Sequence, residues 1–256
     1  MKHLLFLILL TLFATNARAQ LNESDTVKFQ FRVSLTGNKQ TGNVELAMVR
    51  GKIDLVRWFG KNWVVKSQNN SLYQEFYARK ADGDIYSRNY LYFAPQRRLY
   101  PYAIGYISTN FRRKIEVRYF AGAGLTYQIL QQPNHVFKIA ANAVYESTRF
   151  NAFSFNNAAY NGSEYIQTWR ATAYASGWHF IFQKKLRLFY DAFWQPAFGD
   201  SENYRTQFDL GFDFPIWKGL SVNALYTYAY ENIVALGVQQ TDGILGFGLS
   251  YQFKSK

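Results

Sequence analysis

Long runs of strict alternation constrain this chain more than any other feature. The clearest is Asp242 to Phe253, DGILGFGLSYQF. Leu245, Phe247, Leu249, Tyr251 and Phe253 share one face; Ile244, Gly246, Gly248, Ser250 and Gln252 share the other. Residues two apart lie on one side only in an extended strand. The same period opens the chain's ordered pattern. Val27, Phe29, Phe31, Val33 and Leu35 oppose Lys28, Gln30, Arg32, Ser34 and Thr36. A dry sheet interior does not accept Lys28 and Arg32 without partners, whereas a wet lumen behind a lipid-facing surface does. From Ile115 to Ile129 the alternation never slips. That run exceeds the roughly 5–6 residues of a common soluble strand, and it suits a tilted membrane strand of about 9–11 residues with overhang.

Taken in order, such segments number about 12, an even count as bacterial single-chain barrels have. The expected fold is all-β: a transmembrane antiparallel β-barrel with both termini periplasmic. Short periplasmic turns are expected near Lys61, Arg97, Pro133, Lys184 and Lys218. Outer loops are expected near Lys39, Ala81, Arg112, Asn156, Gly199 and Gly237, the longest being the Asn-rich stretch Arg149 to Glu164. One segment resists the pattern. Trp63 to Ala78 is interrupted by Gln68-Asn69-Asn70-Ser71; splitting it in two would break the sorting of short and long connections, so it reads as one strand. A secreted sandwich or propeller is the soluble alternative. The propeller lacks a fixed repeat of about 40–50 residues, and the sandwich does not explain charges facing aromatics over such long strands.

Met1-Lys2-His3, an apolar run from Leu4 to Phe13, and Ala17-Arg18-Ala19 form a secretory signal with an A-x-A cleavage site. The expected organisation is a signal peptide over 1–19 and one barrel domain over 20–256, located in the outer membrane. The apolar run is too short to span a bilayer as a helix, which takes about 20 residues. The absence of cysteine excludes disulfides, thiolate metal sites and lipid attachment through Cys. Aromatic residues reach 19% while mean hydropathy is −0.25. Barrels with aromatic girdles and a polar lumen reconcile the two. Formal charge is +12, or +10 once Lys2 and Arg18 leave with the signal. No nucleic-acid motif accompanies it, and the bases are dispersed, so nucleic acid is not the expected partner. Anionic headgroups of outer-membrane lipids or an anion-attracting lumen fit better.

No constellation implies a cofactor, a metal or catalysis. A Ser–His site needs a histidine beside its nucleophile, and only His3, His135 and His179 exist. His135 falls in an expected periplasmic turn and His179 near the periplasmic end of its strand, which suits an interfacial aromatic belt. The pair is expected to lie far apart, a poor metal site. The charged residues expected to face the lumen are Lys28, Arg32, Glu116, Arg118, Lys138, Glu146, Arg170, Arg187, Asp191, Arg205, Asp209, Asp213 and Glu231. Both signs occur, so the lumen reads either as an ion-paired plug or as a small charged pore. A barrel of about 12 strands lies between the filled 8-strand type and open 16-strand porins. A lipid-modifying enzyme, and a binding barrel using the Arg149–Glu164 loop with its Phe and Tyr residues, are the other function classes.

Three segments carry a family resemblance: Val33-Ser34-Leu35-Thr36-Gly37-Asn38, Ala121-Gly122-Ala123-Gly124-Leu125-Thr126-Tyr127, and Gly246-Phe247-Gly248-Leu249-Ser250-Tyr251-Gln252-Phe253. Their order and spacing, from about Thr26 to Phe253, resemble the YdiY-like, salt-induced outer-membrane proteins, a domain family without an assigned activity. The resemblance implies an integral outer-membrane barrel with a structural or envelope-stress role and small-solute passage as an option. Barrels of this kind carry a C-terminal signal for the barrel-assembly machinery, and Gly248, Tyr251 and Phe253 look like it. Gly246 stands where a polar residue is usual, and Lys254-Ser255-Lys256 follow the last Phe.

Overall fold

The computed structural model describes residues 21–42 and 44–255; the expected signal peptide lies outside them. Twelve strands follow one another: β1 Phe29–Gln40, β2 Leu46–Phe59, β3 Trp63–Phe76, β4 Arg79–Phe93, β5 Leu99–Asn110, β6 Ile115–Gln132, β7 His135–Phe150, β8 Tyr165–Ile181, β9 Leu186–Pro196, β10 Tyr204–Trp217, β11 Leu220–Glu231 and β12 Thr241–Lys254. Each pairs antiparallel with its neighbours in sequence, and β12 closes on β1. Closure leaves no sheet edge, so every strand satisfies its backbone donors and acceptors within the wall.

The seam depends on one glycine. Gly248 stands opposite Thr36, and a Cβ there would lie 2.0 Å from the Leu35 carbonyl oxygen. Only a residue without a side chain lets β12 approach β1 this closely. Tyr251 and Phe253, the other residues expected to form the assembly signal, point outward and are exposed.

Alternation sorts the two faces. Leu35, Ile53, Leu125, Phe247 and Leu249 are among the outward residues, each about half exposed. Their neighbours Gln30, Arg32, Thr36, Asp54, Thr126 and Ser250 are buried in the interior. All connections to odd-to-even strand pairs lie at one end of the barrel, and all even-to-odd connections lie with the termini at the other. We call these the far end and the terminal end. Terminal-end connections are short, whereas the far end carries the long loops 151–164, 197–203 and 232–240.

The third segment is one strand, β3. The turn after it differs from expectation. It lies at Tyr77-Ala78, both in the left-handed region with φ of 47° and 56°, rather than within Arg79–Gly83. Such φ values give a two-residue turn the twist that antiparallel strands need. The glycine at Gly83 instead sits in β4, beside an irregularity opposite Gln74 and Glu75.

The interior is filled from the terminal end. Val56, Val64, Tyr92, Tyr100, Tyr102 and Val144 pack with Leu21, which precedes the first strand. Val136, Trp178, Phe180 and Phe189 fill the opposite side. At the far end Ile115, Phe150, Phe155, Ile166, Ile233 and Ala235 form a separate apolar cluster under the loops.

Candidate functional site in the barrel interior

Segment 21–25 enters the lumen from the terminal end instead of leading away from it. Leu21, Asn22, Glu23 and Ser24 are all buried. Glu23 carries the segment: Lys138 Nζ donates to it at 2.6 Å, Lys66 Nζ at 3.3 Å and the Tyr100 hydroxyl at 2.9 Å. Gln30 reinforces the fold-back, donating to the Asn22 carbonyl and accepting from its amide N–H. Burial alone would push the Glu23 carboxyl up, but the Lys138 and Lys66 ammoniums overcome it and hold the group well below the usual carboxylate range.

The lumen candidates divide into clusters set by register. On β6–β11, in the far half, Glu146 is almost fully buried and meets three guanidiniums: Arg205 at 2.5 Å, Arg170 at 3.2 Å and Arg118 at 3.8 Å. Arg118 also grips Glu231 in bidentate fashion, at 2.7 and 2.9 Å. In the terminal half Asp213 holds both Arg32, at 2.7 Å, and Arg187. Asp191 accepts from the Tyr174 hydroxyl, Asp209 from Gln207, and Lys138 belongs to the Glu23 group.

Two candidates are placed elsewhere. Glu116 is not in the lumen. The ladder slips between Ile115 and Val117, so Ile115 turns into the far-end apolar cluster and Glu116 turns out, where it pairs with exposed Arg149 at 3.2 Å. A bulge reverses the facing of every residue beyond it. Lys28 has the inward parity but lies before β1, past the rim, and is exposed. The histidines also depart from expectation. His135 and His179 are register partners, with Nδ1 atoms 3.3 Å apart, and His179 Nε2 lies 3.1 Å from the Tyr190 hydroxyl. They lie on the outward face, since their neighbours Val136, Trp178 and Phe180 point inward.

Between the Glu23 floor and the far-end rim lies a cavity of about 200 Å³. Nine Lys or Arg and six Asp or Glu residues contribute to its wall. Its rim is formed partly by Asp82, Arg112, Arg113 and Asp242, which are joined in ion pairs. Deeper down, Arg50 and Arg88 stand differently. Among the described residues neither makes an ion pair. Arg50 donates only to the Thr227 hydroxyl, at 3.4 Å. The Arg88 guanidinium lies over the Tyr86 and Tyr106 rings, each 5.7 Å away, and 6.0 Å from Phe193. Reading the sequence missed Glu23, Arg50, Lys66 and Arg88. Arg50 alternates with Val49 and Gly51, so its parity held the signal; the unclean pattern of β3 and β4 hid Lys66 and Arg88.

Over the β7–β12 side the long loops interlock. Phe155 bridges Ala235, the Asn156 side chain donates to the Asn232 carbonyl and accepts from the Val234 N–H, and Asn203 donates to the Tyr160 hydroxyl. Of the aromatic residues in the Arg149–Glu164 stretch, Phe150 and Phe155 are buried, while Phe153 is exposed.

Among solved structures, the NanC porin superposes with a TM-score of 0.55 at 10% identity, over 86% of this chain and 98% of that one. The translocator domain of the autotransporter NalP from Neisseria meningitidis gives 0.46 at 15% identity, over 98% and 96%. Comparison with curated proteins returns no match. At these identities the likeness to the porin is one of fold, that of an outer-membrane barrel. The model of a family described as "Protein of unknown function, DUF481" matches residues 33–253. In agreement with the YdiY-like resemblance of its sequence motifs, the chain belongs to the DUF481 family.

Proposed function

We propose that the protein is an integral outer-membrane barrel that acts as a narrow passage for small anionic solutes, closed at its terminal end by segment 21–25. The observation that carries this reading is the cavity into which Arg88 brings a guanidinium that lies over aromatic rings and makes no ion pair among the described residues. A buried guanidinium left uncompensated favours an anion over a cation or a neutral solute. Below it, the segment around Glu23 is held by side-chain contacts and can leave without breaking the barrel wall.

The terminal end faces the periplasm in this proposal. Its short turns match the usual asymmetry of bacterial barrels. Lys61, Arg97, Arg98, Lys184, Lys185 and Lys218 lie in those turns, and no Asp or Glu does. Such a ring suits anionic headgroups of the inner leaflet. Gly248, Tyr251 and Phe253 at the closing strand suit recognition by the barrel-assembly machinery. We assign no catalytic role, because His135 and His179 lie on the far side of the wall from the cavity. The filled terminal half of the lumen favours a second reading, a purely structural barrel with an envelope-stress role.

Single-channel conductance in a planar bilayer separates the two. Purified, folded protein is expected to give rare, small, anion-selective steps, and Glu23→Gln to give frequent ones. Silence from both proteins, with folding demonstrated by heat-modifiable migration, sinks the passage reading and leaves the structural one.

A further inference from the structure

The interruption that disturbs the third segment in the sequence has a place on the barrel. Inward positions of β3 and β4 are Val64, Lys66, Leu72, Arg88 and Tyr92, so the odd-numbered residues point outward. At mid-strand these are Ser67 and Asn69 on β3, and Ser87 and Asn89 on β4. Ser67 stands opposite Asn89, and Asn69 opposite Ser87. On β5 the partner of Asn89 is Gly105, while Leu55, Ile53 and Ile107 flank Ser67, Asn69 and Ser87; Gly51 on β2 is the partner of Ser71, the next outward residue along β3. On β12, three strands round the wall from β3, mid-strand is occupied by Leu245, Phe247 and Leu249, all more than half exposed.

A lipid-facing surface at mid-strand has no water to satisfy amides and hydroxyls. Within the patch each Asn makes one bond, Asn69 Nδ2 to Ser67 Oγ and Asn89 Nδ2 to Ser87 Oγ, both at 3.0 Å. An Asn side chain offers two donors and two acceptor lone pairs, so most of this capacity is open among the described residues. Polar groups at membrane depth are commonly satisfied by a neighbouring protein wall, and small residues let two walls approach.

The arrangement also says which wall. Within β3 and β4 Ser-x-Asn occurs twice, as Ser67-Gln68-Asn69 and Ser87-Arg88-Asn89. The antiparallel register relates the two copies by a local two-fold axis normal to the sheet. Every group in such a patch is both donor and acceptor, so the patch is complementary to itself. Isologous contacts between identical subunits require this property. We infer that the outward face of β3–β4 is a homodimer interface within the membrane, with the Ser67, Asn69, Ser87 and Asn89 side chains hydrogen-bonding to those of a second copy.

The chain has no cysteine, so single Cys variants report contacts without background. Asn69→Cys and Ser87→Cys, oxidised in native membranes, are expected to give a disulfide-linked band of twice the chain mass, and Phe247→Cys to give none. A second measurement does not depend on a tolerated cysteine. Mass measurement in mild detergent is expected to show a dimer for the unaltered protein and a monomer when all four residues are replaced by Val or Leu, with heat-modifiable migration retained. Three outcomes overturn the inference: equal cross-linking at Phe247→Cys, a cross-link to a different protein, or a monomer for the unaltered chain.

Discussion

Two walls of the lumen use the same residue type to opposite ends. On β6–β11, three arginines converge on Glu146, and Arg118 has a second carboxylate in Glu231. On β2–β4, Arg50 faces the cavity near the Thr227 hydroxyl and the Asp84 carboxylate, and Arg88 has only aromatic rings for company. Alternation puts all five guanidiniums inside. What differs is the partner supplied from across the lumen, and that partner is remote in sequence: Glu231 lies 113 positions from Arg118. On the proposed function, one wall is mechanical filling and the other is available for recognition.

The largest expected effect breaks the first wall. Glu146→Ala leaves Arg170 and Arg205 buried without their carboxylate. Removing one partner of a buried ion pair costs about 3–5 kcal/mol, since the remaining charge stays desolvated. Denaturant unfolding in lipid or detergent, followed by heat-modifiable migration, measures it. A loss under roughly 1 kcal/mol, the size of a surface pair, would show that water fills the site and that the contrast between the walls is false.

Next comes the floor between them. Glu23 is held ionised by Lys138 and Lys66. Its folded value lies below its unfolded value of about 4.3. Its contribution to holding the segment is thus complete above that value and declines as pH falls through the range beneath it. Conductance is expected to be low and flat from pH 5 to 8 (roughly the neutral range) and to rise on acidification, while Glu23→Gln conducts at every pH. An acid response that persists unchanged in Glu23→Gln would assign the gate to another group.

Much of this was legible in the sequence, and the failures have physical causes. Strand number, closure order and the position of β3 follow from period and parity, because lipid outside and charge inside impose them on every strand. Glu116 was misplaced because a bulge leaves no mark in composition; Ile115 and Val117 are both β-branched and apolar. Val56 and Val64 point inward although apolar, since the terminal half is packed rather than wet, and that follows only once Leu21 is seen to enter the lumen. His135 and His179 meet because β7 and β8 pair with a 44-residue separation that includes the long loop. Register across a hairpin with a long loop is set by the wall, which single-strand patterns do not report.

The recognition wall is tested by Arg88→Ala. Its aromatic contacts amount to about 0.5–2 kcal/mol, and deletion also removes an uncompensated charge, so stability should change by less than for Glu146→Ala. Selectivity should change more. The reversal potential in a salt gradient is expected to move toward cations in the Glu23→Gln background, and Arg88→Lys to restore much of the anion preference. If Arg88→Ala unfolds the barrel as readily as Glu146→Ala, both walls are structural.

The smallest effect is expected outside both walls. Arg149 pairs with Glu116 at 3.2 Å and Glu164 at 3.4 Å, and Arg149 and Glu116 are about two-fifths exposed. Exposed pairs contribute about 0–1 kcal/mol because water screens them and two long side chains lose freedom. Glu116→Ala should therefore leave stability within that range and leave conductance and selectivity unchanged. The same kind of contact, guanidinium to carboxylate, would then differ several-fold from the buried Glu146 site, where three arginines share one carboxylate. A large loss in Glu116→Ala would return this residue to the lumen and remove the bulge that turns it out.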